Sequence, residues 1–279
     1  MIEGPIFIVS SGRSGSQLFY KLFNTIENIK ANHEFNIMSY KPEIVKFMNS
    51  GSSQDLEVLN ESLNNHYYKY IDKKSEKIWL DSNYSIAPIL DILLKNYPNA
   101  KIIHLVRSGL KVTSSWFNKL GDEIYGDIET ENLQEYLLRR DTAIAPIREK
   151  KNWWYIPDIR ISNDINFNNI SQFERICYHW VFTYNWINEH KNYISKEENY
   201  KIIKLEDVVN NETSLKSLFE FLEIDYEKKY FKSIQVPHNV NKPVNYKLSK
   251  EQHKMFKEIC GDVMKDLKYR VNNQYKVNY

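Results

Sequence analysis

Residues 6–20 read Ile6-Phe-Ile-Val-Ser-Ser-Gly-Arg-Ser-Gly-Ser-Gln-Leu-Phe-Tyr20, and this stretch decides the fold. Its apolar start is typical of a buried strand, and apolar residues spaced three to four apart from Leu18 onward predict an amphipathic helix. A turn of small polar residues containing Gly12 and Gly15 joins the two. Free backbone N–H groups at a helix start, together with the positive end of the helix dipole, favour an anion at such a turn. The stretch therefore predicts a phosphate-binding loop.

The loop between the predicted strand and helix offers both backbone and side-chain donors. Its two glycines let the backbone turn tightly and approach a ligand, while its polar side chains supply hydrogen bonds. We expect the phosphate contacts to come from Gly12, Arg13, Ser14, Gly15, Ser16 and Gln17. The loop lacks the Gly-Lys-Ser/Thr ending of nucleotide triphosphatases, so it is a P-loop of another kind. Taken alone, it also fits a tight turn without a ligand.

A second segment, Lys101-Ile-Ile-His-Leu-Val-Arg-Ser-Gly-Leu-Lys-Val-Thr-Ser-Ser-Trp116, predicts another buried strand followed by a helix. Arg107 stands at the carboxyl end of that strand, and Ser115 follows about two turns into the helix. Both side chains can then reach one phosphate, Arg107 as a charged fork and Ser115 as a hydroxyl donor. His104 lies inside the strand and is expected to be a core residue rather than a functional one.

These two motifs resemble the donor-binding motifs of sulfotransferases that use 3′-phosphoadenylyl sulfate (PAPS). The stretch 12–16 is similar to the 5′-phosphosulfate loop of that family, and Arg107 with Ser115 looks like its 3′-phosphate motif. Weaker scaffold features extend the resemblance over 1–118 and 171–270. The resemblance implies PAPS as co-substrate, with adenosine 3′,5′-bisphosphate (PAP) as the product.

Catalytic side chains are expected at the same sheet edge. Arg13, where the family often has Lys, is expected to neutralise the departing phosphate electrostatically, because a guanidinium does not give up its proton. The segment Asn32-His33-Glu34-Phe35 follows the predicted second strand, and bacterial and glycan-type members of the family commonly place a catalytic Glu there. Glu34 is the best match for the acceptor base, and His33 is the alternative. Both residues can instead cap the strand or pair with Lys30.

Two further positions bear on the site. Many relatives carry Lys or His after the strand that here reads Lys77-Ile-Trp-Leu-Asp-Ser-Asn83, so no second catalytic cation is expected there. A late basic loop, 239–243, offers Lys242 to the 3′-phosphate, although a solvated turn explains it equally well. Cys177 and Cys260 form no metal or redox motif and are expected to be reduced core thiols.

The chain as a whole alternates strand and helix patterns, which predicts an α/β fold: a P-loop-type, mainly parallel sheet flanked by helices on both faces. A single domain is expected over 1–279, with 119–170 as an acceptor-side lid. The cluster Trp153-Trp154-Tyr155 in that segment favours packing over an acceptor contact. The predicted strands are 6–10, 29–33, 77–81, 101–106 and 200–205. The predicted helices are 16–27, 41–49, 55–73, 85–96, 109–118, 130–140, 171–193, 212–222 and 250–267.

Composition narrows the function classes. With 38 basic and 36 acidic residues the net charge is +2, which argues against a general nucleic-acid binder. No His, Cys and carboxylate spacing indicates a metal site. No apolar run approaches the roughly 18 residues of a membrane span, and the first strand leaves no room for a signal peptide. A cytoplasmic protein is therefore expected.

Three functions remain after these exclusions. The leading one is transfer of a sulfuryl group from PAPS to a hydroxyl or an amine of a carbohydrate or small polar metabolite. A nucleotide or small-molecule kinase with an unusual P-loop is the second, and a non-catalytic nucleotide-binding module is the third.

Overall fold

A computed structural model describes residues 4–72, 77–158, 165–235 and 248–269. Within them, five strands form one sheet in the order β2-β3-β1-β4-β5, and every neighbouring pair is parallel. The strands are β1 (Ile6–Val9), β2 (Ile29–His33), β3 (Ile78–Ser82), β4 (Lys101–Val106) and β5 (Tyr200–Lys204). This arrangement confirms the mainly parallel sheet predicted from the sequence.

Helices cover both faces of the sheet. Ile6 and Ile8 of β1 pack in one hydrophobic cluster, whereas Phe7 and Val9 pack in a second cluster on the opposite face. Because successive side chains of a strand point to opposite faces, a strand buried on both sides reads as a continuous apolar run. The described helices are α1 (Ser16–Phe23), α2 (Lys41–Ser50), α3 (Ser53–Leu63), α4 (Lys69–Ile71), α5 (Leu90–Asn96), α6 (Gly109–Leu120), α7 (Asp127–Leu138), α8 (Gln172–His190), α9 (Leu205–Asn210), α10 (Glu212–Phe221), α11 (Lys228–Ile234) and α12 (Lys250–Asp266).

Local chemistry explains several helix ends. The long helix α8 begins at a capping box in which Ser171 and Glu174 satisfy each other's backbone N–H groups, and Ser249 with Gln252 does the same for α12. The helix predicted over 16–27 ends at Phe23, because the next residues close tighter turns. The helix predicted over 55–73 is α3 and α4 joined by a π-helical turn at Asn64–Tyr68. Helices α9 and α11 were missed by the sequence analysis.

The segment 119–170 is built into the core where the structure describes it. Trp153, Trp154 and Phe167 are almost completely buried, in one cluster with side chains of α6 and α8. The packing interpretation of the tryptophan pair is therefore confirmed, and the role of this segment as a lid stays a prediction. Cys177 and Cys260 are buried free thiols, as expected. None of the helices in the described ranges combines the length and apolarity needed to span a bilayer.

Candidate active site

The loop between β1 and α1 has two positions that require glycine. Gly12 has φ +72°, and a Cβ there would lie 2.7 Å from Cζ2 of Trp116. Gly15 has φ +98°, and a Cβ there would lie 2.7 Å from Cδ1 of Leu205. Any larger residue would combine left-handed backbone strain with a collision. The glycines therefore let the loop lie directly on α6 and on the start of α9.

Hydrogen bonds within the loop fix its shape. The Ser14 hydroxyl donates to the carbonyl of Gly12 at 3.0 Å and lies 3.2 Å from the Ser11 hydroxyl. The N–H of Gly12 donates to Ser10 Oγ at 3.2 Å. Since Ser14 is completely buried, its hydroxyl serves the loop itself. The contact from Ser14 to a phosphate that the sequence analysis expected stays a prediction.

Helix α1 presents its N-terminus to the same place. Within the described residues, the positive end of the helix dipole has no capping side chain at Gly15 and no acidic residue in the first turn. Ser16 and Gln17 occupy the first turn, and the Ser16 hydroxyl lies 3.1 Å from Nε2 of His33.

Three side chains predicted to hold the donor meet beside this loop. Nε of Arg13 donates to Oγ of Ser115 at 3.1 Å, and Nη1 of Arg107 donates to the backbone carbonyl of Arg13 at 2.8 Å. The Arg13 guanidinium also lies 6.0 Å from the ring centroid of Trp116. The carboxyl ends of β1 and β4 thus bring two cations and a hydroxyl to the loop, which is an arrangement suited to a multiply charged anion.

His33, the last residue of β2, and Glu34, the residue after it, lie at the same edge. The backbone N–H of Glu34 donates to the carbonyl of Ser82 at 3.1 Å, which continues the parallel pairing beyond β2. Oε1 of Glu34 lies 3.9 Å from Nε2 of His33, and its other oxygen contacts Nζ of Lys150. Glu34 therefore pairs with Lys150; Lys30, the partner considered from the sequence, lies over the ring of Trp79 instead.

Burial is the main influence on the two titratable groups that flank Glu34. It lowers the pKa of His33, with a further lowering from Lys150 and an opposing effect from Glu34. It raises the pKa of Asp81 to about 6, although Asp81 accepts hydrogen bonds from Tyr67 at 2.8 Å and Asn83 at 3.0 Å. Asp81 also accepts from the N–H of Phe35 at 3.4 Å, so it supports the loop that carries Glu34.

The sequence analysis missed two lysines next to Glu34. Lys41 is buried; its ammonium donates to the hydroxyl of Tyr84 at 3.3 Å and to the carbonyl of Lys150 at 3.4 Å. It lies 3.6 Å from the ring centroid of Trp154. Lys41 begins a helix and reads as a solvated side chain, and Lys150 lies in a segment without clear periodicity. The acceptor-side assignment of 119–170 pointed toward Lys150 alone, and no sequence signal pointed toward Lys41.

His179 supports the loop from beneath and was also missed. Its Nε2 lies 3.1 Å from the carbonyl of Ser11, so this nitrogen carries the proton and donates. Its Nδ1 lies 3.3 Å from the hydroxyl of Tyr125. Burial lowers the pKa of His179 to about 4, so the ring is neutral near pH 7 and fills a structural role.

Two sequence predictions need separate mention. Lys242 lies outside the described residues. Across the described ranges, no group of three or more His, Cys, Asp or Glu side chains is arranged to hold a metal ion.

Comparisons with known proteins indicate the family and the fold of the chain. A family model described as "Sulfotransferase family" matches residues 5–161, more than half of the chain. The sulfotransferase domain from the curacin biosynthetic pathway is similar in structure, with 14% identity and a TM-score of 0.52 over 96% of this chain and 99% of that one. The sulfotransferase domain from the Synechococcus PCC 7002 olefin synthase gives 14% identity and a TM-score of 0.48 over 85% and 78%. Among curated protein sequences, none matches. The curacin-pathway likeness shows the fold.

Proposed function

Because this chain belongs to the sulfotransferase family, we propose that it transfers a sulfuryl group from PAPS to a hydroxyl or an amine of a carbohydrate or small polar metabolite. The observation that supports this proposal most is the junction of Arg13, Arg107 and Ser115 beside the N-terminus of α1. PAP carries one phosphate at the 3′ position and one at the 5′ position of its ribose, and the junction offers a cationic contact to each.

The proposed donor contacts divide between two places. The 5′-phosphosulfate lies against the loop 12–17 and the first turn of α1, where backbone N–H groups and the helix dipole favour it. The 3′-phosphate lies against Arg107 and Ser115. Ser115 accepts from Arg13 at 3.1 Å, and a hydroxyl can still donate its proton to a phosphate oxygen. Lys242 remains a sequence-based candidate for an additional contact to the 3′-phosphate.

Sulfuryl transfer makes mainly electrostatic demands on the protein. A bond forms between the acceptor oxygen and sulfur while the bond from sulfur to the bridging phosphate oxygen breaks, so negative charge grows on the departing phosphate. Arg13 and the N–H groups of α1 lie where that charge develops. As in phosphoryl transfer, prearranged donors lower the barrier because they need no reorganisation during the reaction.

The acceptor must also lose a proton, and we assign this step to Glu34, with His33 as the alternative base. Both side chains lie at the edge that holds the phosphosulfate loop, and His33 reaches that loop through Ser16. In the absence of an acceptor, Glu34 is paired with Lys150. An acceptor hydroxyl that takes the place of this contact would deliver its proton to the freed carboxylate oxygen.

Thermal unfolding with PAP, ATP or no ligand tests the proposal. PAP at a hundredfold excess over its Kd should stabilise the protein by about 2.7 kcal/mol, and ATP should stabilise it much less. Transfer of radiolabelled sulfate from PAPS to a panel of glycans and small hydroxylated or amino metabolites then tests catalysis. Stabilisation by ATP alone, with phosphate transfer, would support a kinase; PAP binding without transfer to any acceptor would support a non-catalytic module.

A further inference from the structure

A small, partly open cavity is lined by α2, α8 and the segments around Ser85 and Trp154. Its volume is about 40 Å³, which is room for about three water molecules or an organic group of a few heavy atoms. Aromatic side chains form much of its wall, namely Tyr84, Trp154, Tyr155 and Trp186. Lys41, Ser85 and His179 are among its polar lining residues.

Lys41 is a buried cation without a paired anion. Its side chain is 4% exposed, and its ammonium contacts a phenol, a peptide carbonyl and the face of Trp154. None of the ion pairs in the described part of the chain involves Lys41. Burial lowers the pKa of Lys41 well below its ordinary value, Lys150 lowers it further, and Glu34 opposes both. A buried ammonium is costly unless it is paired, so an anionic ligand would stabilise it.

Ser85 provides a second, independent indication of a ligand. It is 6% exposed, and a weak contact to the side chain of its neighbour Tyr84 is the one polar contact of its hydroxyl within the described residues. A buried hydroxyl without a strong hydrogen bond to the protein usually faces a water molecule or a ligand. Because Ser85 lines the cavity, an oxygen-bearing group placed there can accept its proton.

The polar groups of the cavity are arranged for a hydrogen-bond acceptor. Lys41 and Ser85 are both hydrogen-bond donors. The N–H of His179 already donates to the carbonyl of Ser11, so we do not count it as a donor to the cavity. We propose that this cavity is the subsite for a carboxylate carried by the sulfuryl acceptor, which Lys41 and Ser85 bind while the acceptor hydroxyl lies at Glu34. This assignment rests on the proposed function and narrows the acceptor to a hydroxylated carboxylic acid.

A series of contacts runs from Lys41, which lines the cavity, through Lys150 to Glu34. The ammonium of Lys41 donates to the carbonyl of Lys150, and the ammonium of Lys150 contacts Glu34. The ring of Tyr84 lies 5.3 Å from Nζ of Lys41 and 5.4 Å from Nζ of Lys150. The cavity and the candidate base are thus separated by one layer of side chains, which a short acceptor molecule can bridge once Lys150 releases Glu34.

Calorimetric titration with matched acids and amides tests the subsite. The probes are glycolate, 3-hydroxypropanoate and 4-hydroxybutanoate, each compared with its primary amide, on the protein with and without PAP. At least one acid should bind about tenfold tighter than its amide, because a charged hydrogen bond is stronger than a neutral one. Lys41→Met should remove that preference, and Ser85→Ala should weaken the acid by about threefold. Lys46→Met, further along α2, is the control and should leave the preference unchanged.

The outcomes separate this inference from the proposed function. Equal binding of acids and amides to the wild-type protein, or an acid preference that survives Lys41→Met, would overturn the subsite. Since the comparison is also made without PAP, it decides the question even if PAP does not bind, and a lack of PAP binding counts against the proposed function alone. If Lys41→Met does not fold, two results still test the subsite: the preference of the wild-type protein for acids over amides, and the weaker acid binding expected of Ser85→Ala.

Discussion

At the scale of single residues, the candidate site brings the positive charges of Arg13 and Arg107 close together. In the structure Arg107 donates to a backbone carbonyl and Arg13 donates to a hydroxyl, so neither of these two contacts neutralises a guanidinium charge. A bound polyanion would relieve the repulsion between them. The proposed donor site therefore depends on charge more than on any neutral hydrogen bond.

We predict that Arg107→Ala weakens PAP binding more than Ser115→Ala. The charged contact is worth about 1.5–3 kcal/mol and the hydroxyl about 0.5–1.5 kcal/mol. Calorimetry on the folded variants measures both losses, with the exposed Arg139→Ala as control. Unchanged PAP affinity in Arg107→Ala would remove the 3′-phosphate assignment.

For the base, we predict that Glu34→Gln lowers kcat by about 10²–10⁴ and leaves PAP affinity unchanged. The amide keeps the shape of the side chain but cannot accept the proton, and the donor is held elsewhere. Steady-state kinetics with PAPS and an acceptor that the wild-type protein sulfates measures the effect, and His33→Asn is expected to lower kcat much less. A near-normal kcat in Glu34→Gln combined with a collapse in His33→Asn would transfer the role to His33.

Some residues of the candidate site could be predicted from the sequence, and others could not. Glycine turns and an Arg at a strand end are local patterns, so the positions of Arg13, Arg107 and Glu34 at one edge followed from the order of strands and helices. Lys41 and Lys150 could not be found in this way. They meet only because the segment 119–170 folds back over α2, and that contact is set by long-range packing of Trp153 and Trp154.

At the scale of elements, the β1–α1 loop is held between α6 and the start of α9. Its conformation is fixed by its own hydrogen bonds and by the lack of side chains at two glycines. These contacts hold the loop in one conformation, so we expect its N–H groups to need little reorganisation to meet a phosphate.

Gly12→Ala tests this packing, with Gly51→Ala as its matched control. Both glycines have left-handed backbones, at φ +72° and φ +61°, so both variants bear a strain of about 1–2 kcal/mol. Only at Gly12 does the new methyl group meet another side chain, Trp116, at 2.7 Å, whereas nothing lies within 4 Å at Gly51. Urea unfolding should show a larger loss of stability for Gly12→Ala, and calorimetry should show weaker PAP binding in that variant alone. Equal effects in the two variants would contradict the close packing of the loop.

For the whole molecule, buried histidines couple stability to pH. Burial lowers the pKa of His104 to about 3, and its Nδ1 lies 2.9 Å from the hydroxyl of Tyr200, which confirms it as a core residue. Below the unfolded pKa near 6.5 the unfolded chain binds a proton that the folded ring does not, so stability falls as the pH falls. Asp81 acts in the opposite sense, because its raised pKa of about 6 favours the folded state below that pH.

Accordingly, we predict that His104→Gln reduces the loss of stability between pH 7.5 and pH 5 by about 2 kcal/mol relative to the wild type. Glutamine can still hydrogen-bond to Tyr200 but does not titrate. Denaturant unfolding at the two pH values measures the difference, and His66→Gln, at an exposed position, is the control. If both variants showed the wild-type pH dependence, His104 would not be the buried neutral group described here.

The overall architecture was easier to predict from the sequence than its short helices. The alternation of strand and helix patterns predicted the mainly parallel sheet, and the helices predicted to begin at 171 and 250 correspond to α8 and α12. Helix α9 was not predicted, because Leu205–Asn210 is short and follows β5 without a turn signal. Elements of this size owe their stability to tertiary packing more than to local propensity.

The central claim is that the loop, Arg107 and Ser115 form a site for the two phosphates of PAP. Calorimetric titration of the unliganded protein with PAP and with adenosine 5′-phosphate tests it most directly, since the two ligands differ only in the 3′-phosphate. The account predicts that PAP binds at least about tenfold tighter, because the 3′-phosphate gains a charged contact to Arg107. Equal affinities for the two nucleotides, or no binding of PAP at all, would contradict it.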